Sequence, residues 1–104
     1  MKDEDSVIIG ALRNPFRREI LKWVVEKDEP LSPKHVAKKF DQPLTNVAYH
    51  VRTLRNAGVL TLVDMQPVRG SLQGFYIPNA RVTSAAWVRE ILDLPPVDGV
   101  GNGG

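Results

Sequence analysis

Cysteine is absent from this 104-residue chain, and with it go disulfide staples, thiolate metal centres and a cysteine nucleophile. Stability must come from packing. No apolar run approaches the roughly 20 residues a membrane helix needs, and the acidic opening Met1-Lys2-Asp3-Glu4-Asp5 is unlike the basic start of a secretory signal. A soluble, intracellular protein with no membrane partner is the expectation. Histidine is scarce: His35 and His50 are the only two, short of the three or four ligands a stable zinc site uses. A site built from Glu90 and Asp93 would lack nitrogen ligands altogether. No metal is expected. Catalysis lacks its parts as well. No Gly-rich phosphate loop follows a strand, no nucleophile sits beside a base in a known motif, and no carboxylate pair falls in a plausible cleft. Neither an enzyme nor a cofactor is expected.

With 42% hydrophobic residues, the chain is long enough for one small domain with one core, and not for two. That domain is assigned to residues 1–94. The remainder, 95–104, reads P-P-V-D-G-V-G-N-G-G, has no hydrophobic period and is expected to be a disordered tail. The formal net charge of +2 is unevenly placed. Residues 30–81 carry seven basic side chains against two acidic ones, residues 1–29 six against seven, and residues 82–104 one against three. A basic middle between neutral or acidic ends suits a phosphate-facing surface, although an ordinary solvated surface of exposed lysines gives the same pattern.

Local signals order the chain as helices at about 6–13, 15–27, 33–40 and 43–57, a hairpin at 59–78, and a C-terminal helix at about 84–94. The first closes before Asn14-Pro15, because the residue preceding proline avoids the helical region. In the second, Phe16, Ile20, Trp23 and Val24 recur at helical spacing, opposite Arg18, Lys22 and Glu26. Ser32 caps the third, with Pro33 at the first position where a missing N–H costs nothing. That helix buries Val36, Ala37 and Phe40, and Leu31 is placed as a one-residue strand against the hairpin. Gly58 stops the fourth helix. V-L-T-L-V-D-M-Q and F-Y-I-P flank the polar turn V-R-G-S-L-Q-G, and Ser84 is placed as the cap of the last helix.

On a helical wheel of the fourth helix, Leu44, Val47, Ala48, Val51 and Leu54 fall within roughly one third of the circumference and form a core face. Thr45, Asn46, Tyr49, Arg52, Thr53 and Asn56 occupy the other side, with His50 at the boundary. A merely solvated helix would show Glu and Lys there. This set carries one formal charge and many hydrogen-bonding groups, as a surface that reads base edges requires. His50 is expected to pack at the core edge and donate one hydrogen bond, and His35 to be exposed. Arg55 falls inside the apolar arc, where it either snorkels outward near the helix C-terminus or pairs with an acid such as Glu19. Arg69 stands beside glycines at the hairpin tip, suited to a phosphate or a narrow minor groove, or else serving only to solubilise the loop.

Three stretches, A-L-R-N-P-F-R-R-E-I-L-K-W-V, L-S-P-K-H-V-A-K-K-F and N-V-A-Y-H-V-R-T-L-R-N-A-G-V-L, span Ala11 to Pro78 together with the adjoining hairpin. They resemble the arsenic-repressor (ArsR) family of bacterial winged-helix regulators. The sharpest parts are the N-P-F-R-R-E-I-L opening and the run from Tyr49 to Leu60. Neighbouring MarR-like regulators share the Leu-x-x-x-Gly-hydrophobic junction. The resemblance implies a homodimer on a palindromic operator, with the helix from Leu44 to Asn56 in the major groove and the hairpin tip as a wing. Two departures bear on it. Lys34, His35 and Val36 stand where the family's metal sensors carry a cysteine pair, so the effector is unidentified. Pro43 and Leu44 replace the usual Ser-Gln, so capping passes to Asp41 or Gln42 and base reading shifts to Thr45, Asn46 and Tyr49.

The expected fold is therefore mainly α with a small β-hairpin, a winged helix-turn-helix. The expected function is sequence-specific DNA-binding transcriptional regulation, as a repressor associated with the nucleoid in the cytoplasm, with double-stranded DNA and a second copy of the chain as partners. Lys34, Lys38 and Lys39 are assigned to phosphates. Thr45, Asn46, Tyr49 and Arg52 are assigned to bases, Asn46 through adenine and Arg52 through guanine. Arg69, Ser71 and Gln73 are assigned to the wing. Val7, Ile8 and Ile9 at one end, and Trp87, Val88, Ile91 and Leu92 at the other, exceed what so small a fold buries alone and are assigned to the dimer interface. The alternative is a winged-helix module that binds another protein and no specific DNA.

Overall fold

The computed structural model describes residues 3–97. Helix α1 covers Asp3–Ala11, three residues earlier than its apolar stretch suggests. Its acidic first turn of Asp3, Glu4 and Asp5 favours the positive end of the helix dipole. Helix α2 covers Pro15–Lys27, and the Asn14 side chain caps it by accepting from the N–H groups of Phe16 and Arg17 at 2.8 and 3.1 Å. Helix α3 covers Pro33–Phe40. Ser32 caps it as expected, and His35 completes a capping box by accepting the Ser32 backbone N–H on Nδ1 at 3.0 Å. His35 is exposed, and its ring closes the helix end.

Helix α4 covers Leu44–Asn56. Neither Asp41 nor Gln42 caps it. Pro43 holds the cap position with no side-chain hydrogen bond, because Asp41 already serves α3 as a left-handed C-cap at φ 53°. Gly58 ends α4 at φ 85°, and bonds from Val59 N–H to the Leu54 carbonyl and from Gly58 N–H to the Arg55 carbonyl, at 3.0 and 2.9 Å, make a Schellman closure.

Strands β1, Leu60–Val68, and β2, Ser71–Pro78, form an antiparallel hairpin with a bulge at Val63. The expected seven-residue polar turn is only Arg69-Gly70, at φ 50° and 85°, the two successive positive values of a tight hairpin turn. Ser71 and Gln73 are therefore strand residues. Leu31 pairs with Tyr76 through two 2.9 Å backbone bonds and ties the hairpin to the chain before α3. Asn79 fastens the hairpin's base, donating to the Gly58 carbonyl at 2.8 Å, and also caps the next helix.

The C-terminal segment is not one helix from residue 84. It is two short ones, α5 at Ala80–Thr83 and α6 at Ala86–Ile91, with Ser84 closing α5 instead of opening a helix. Of the expected tail, 95–97 carry no secondary structure, and 98–104 lie outside the described residues.

The core draws Ile8 and Leu12 from the α1 end, Ile20, Leu21 and Val24 from α2, Val36 from α3, and Val47, Val51 and Leu54 from α4, closed by Val82, Val88 and Leu92. Phe40 stands edge-on to Phe16 and Trp23 at 5.4 and 6.0 Å beside it. Three residues assigned to a dimer interface are thus spent inside the subunit: Ile8, Val88 and Leu92 are buried members of its own core. Val7 and Ile91 stay exposed, and Ile9 and Trp87 are half-buried. Two helices joined by the Asp41–Pro43 turn, followed by a hairpin beside the second of them, make the fold a winged helix-turn-helix.

Candidate nucleic-acid interface

The fixed part of the site is the buried side of α4. Val47, His50, Val51 and Leu54 form it, a face turned by roughly 50° from the one drawn on the wheel. The turn moves His50 inward to 8% exposure and Leu44 outward to 44%. His50 meets neighbours from α2 that no local pattern contains, and Phe16 stands edge-on to its ring at 5.4 Å. Arg17 on α2 donates its Nε to the Ala11 carbonyl at 2.6 Å and its terminal nitrogen lies 3.2 Å from His50 Nδ1. An arginine only donates, so His50 Nδ1 accepts and the ring proton rests on Nε2. The expected donation by His50 is thereby reversed. Burial first, and the Arg17 charge second, lower the pKa of His50 below its ordinary value. Arg18, next to Arg17, donates to the Leu12 carbonyl at 2.7 Å and the Arg13 carbonyl at 3.1 Å, so the paired arginines close the C-terminal end of α1.

With that side fixed, Thr45, Asn46, Tyr49, Arg52 and Asn56 all stand exposed on the other, Tyr49 at 55%. Thr53 leaves the set, half-buried and donating its hydroxyl back to the Tyr49 carbonyl at 3.1 Å. Arg55 reaches solvent and has no ion pair among the described residues. The C-terminal dipole of α4 suffices for it.

The wing is brought against the start of this helix. A groove of about 310 Å³ runs between them, lined by Pro33, Lys34, Leu44, Ala48, Val68, Arg69, Ser71, Leu72, Gln73 and Gly74. It joins Lys34, Arg69, Ser71 and Gln73 in one place, with two cations and no acid among its walls. Gly74 leaves room for its neighbours, since a Cβ there would stand 2.9 Å from a Leu62 methyl, which would have to move aside. Lys38 and Lys39 are not part of this groove. They line another, of about 330 Å³, beside Trp23, Leu31 and His35, with the Lys39 ammonium 5.8 Å from the Trp23 ring. The three lysines of α3 thus serve two separate surfaces.

Apolar character places Leu44 and Ala48 in the core, yet both are walls of the open groove. Apolarity alone does not separate the two settings. Among the described residues no cluster of three His, Asp or Glu side chains forms a metal site, and no helix is long and apolar enough to cross a membrane.

Residues 12–63, half of the chain, match the family model described as a helix-turn-helix domain. The chain belongs to the helix-turn-helix family. The match runs from the end of α1 through α2, α3 and α4 into β1, so it takes in both helices of the motif and the start of the wing. Among solved structures, reduced HlyU from Vibrio cholerae N16961 superposes at a TM-score of 0.61 with 19% identity, covering 86% of this chain and 82% of its own. HlyU from the same organism superposes at 0.60, again with 19% identity, covering 89% and 91%. At that identity the likeness concerns the fold. No curated protein sequence matches the chain.

Proposed function

We propose that this helix-turn-helix protein is a DNA-binding transcription regulator that reads a palindromic operator as a homodimer and represses by occupying it. One observation carries the reading: α4 is locked on its buried side and offers Thr45, Asn46, Tyr49 and Arg52 together on the other. A helix of that width fits the major groove, and its side chains suit base edges, Arg52 to guanine and Asn46 to adenine. Lys34 and Arg69, at the rim of the wing groove, suit the phosphates beside the start of the helix. Lys38 and Lys39 meet backbone only where the duplex extends past α3. Ser71 and Gln73 add hydrogen bonds from the wing. Residues 1–94 act as the DNA-binding unit, with 95–104 as a tail, in the cytoplasm at the nucleoid.

The homodimer rests on Val7 and Ile91, exposed apolar side chains near the two ends of the described chain, flanked by half-buried Ile9 and Trp87. Paired across a two-fold axis, they would set the reading helices about 34 Å apart, one turn of DNA. Sedimentation showing only monomer at micromolar concentration removes the dimer and the palindrome together.

A protein-binding module is the second reading, and the exposed Val63, Met65 and Leu72 of the hairpin favour it. Salt dependence separates the two. Binding to duplexes selected from a random pool should weaken with salt at a logarithmic slope of about −5 for six phosphates. No selected consensus, or a slope near zero, gives the site to a protein partner.

A further inference from the structure

Within the proposed reading of DNA, the groove between α4 and the wing has a chemistry of its own. Leu44 opens the helix at 44% exposure, and Ala48 stands one turn further along the same side. Across the groove, Leu72 is 66% exposed. Apolar side chains left open to water at the N-terminal turn of a reading helix gain from the interface only if the duplex offers them an apolar group. Lys34 and Arg69 rim the groove and no acidic side chain lines it. Its complement is therefore a surface with an apolar centre between anionic flanks. In the major groove one base fits that description: thymine, whose C5 methyl is the only apolar group the four bases present there, with phosphates on both sides.

We propose that Leu44, supported by Ala48, is the thymine-reading position of this protein, so that each operator half-site holds a thymine whose methyl enters the groove beside the wing. Asn46 and Arg52 read their bases by hydrogen bonds, and Leu44 reads by burial. The residue is a specificity determinant and not a fold determinant, since its side chain lies outside the core.

Replacing thymine by uracil removes that methyl and nothing else. In a duplex selected from a random pool, uracil is substituted at each thymine in turn and affinity is read by fluorescence anisotropy. At one thymine per half-site the native protein should lose about fourfold, the value of burying one methyl group. Leu44→Ala should bind the thymine and uracil duplexes equally at that position while its circular dichroism and melting stay native. A flat uracil scan of the native protein overturns the inference, whatever the variant does. So does a Leu44→Ala protein that keeps the native sensitivity. If the pool yields no preferred sequence, the DNA-reading function itself falls and this inference with it. A clear consensus with a flat scan removes only the role of Leu44.

Discussion

Helices α3 and α4 meet at the Asp41–Pro43 turn and are held by opposite means. The eight residues of α3 are fastened at the ends, by the Ser32–His35 capping box and the left-handed Asp41, with Val36 as their one fully buried side chain. The thirteen residues of α4 have no side-chain cap at the start and are fastened along the flank, by Val47, His50, Val51 and Leu54. A helix held at its ends positions its neighbour. A helix held along one flank keeps its first turn and its other face free for a ligand, which is the arrangement a reading helix needs.

The most severe way to break this contrast is to remove the flank. Leu54→Ala should cost about 2–5 kcal/mol in urea unfolding, as truncation of a fully buried leucine does. A loss under about 1 kcal/mol would mean that α4 is not held from that side. The exposed face should behave in the reverse manner. Arg52→Ala should leave stability within about 0.5 kcal/mol of native and cost about 1–3 kcal/mol in affinity for a selected duplex, with non-specific binding little changed. Equal losses on specific and random DNA would make Arg52 a phosphate contact instead. Next in size is the end of α3. Ser32→Ala should cost about 1 kcal/mol by losing the cap, and an unchanged melting temperature would show that His35 alone closes that end.

Much of the helix-turn-helix was legible because its punctuation is local. Pro15, Ser32-Pro33 and Gly58 each fix a boundary through the backbone of one or two residues, and α2 and α3 begin and end where those signals put them. In the C-terminal segment the local mark misleads, because Ser84 closes a helix where it reads as opening one. Ser84 and the stripe of Trp87, Val88, Ile91 and Leu92 read as a single helix over about 84–94, yet Asn79 starts α5 early and the chain breaks at Ser84 and Ala85, with Val88 and Leu92 in the core. That burial also consumes part of the apolar surplus that points to a dimer. The outward set on α4 was legible from its unusual chemistry, but its rotation was not. His50 turns inward against Phe16 and Arg17 of α2, and a wheel drawn for α4 alone contains neither.

The smallest expected effect tests that long-range contact through pH. Because burial and the Arg17 charge depress the folded pKa of His50, the folded protein binds fewer protons than the unfolded chain below the unfolded value of 6.5. Stability linked to this residue is therefore complete above about pH 6.5 and is lost as the pH falls from there toward the folded value. The hydrogen bond gives the same sign, since a protonated Nδ1 would face the Arg17 guanidinium as a second donor. Carboxylates also gain protons toward acid, so the informative quantity is a difference. Melting temperatures of the native protein and of His50→Asn, whose amide oxygen keeps an acceptor for Arg17 without titrating, should converge between about pH 7 and pH 5 as the native protein loses its advantage. Parallel curves would show that His50 does not titrate against Arg17.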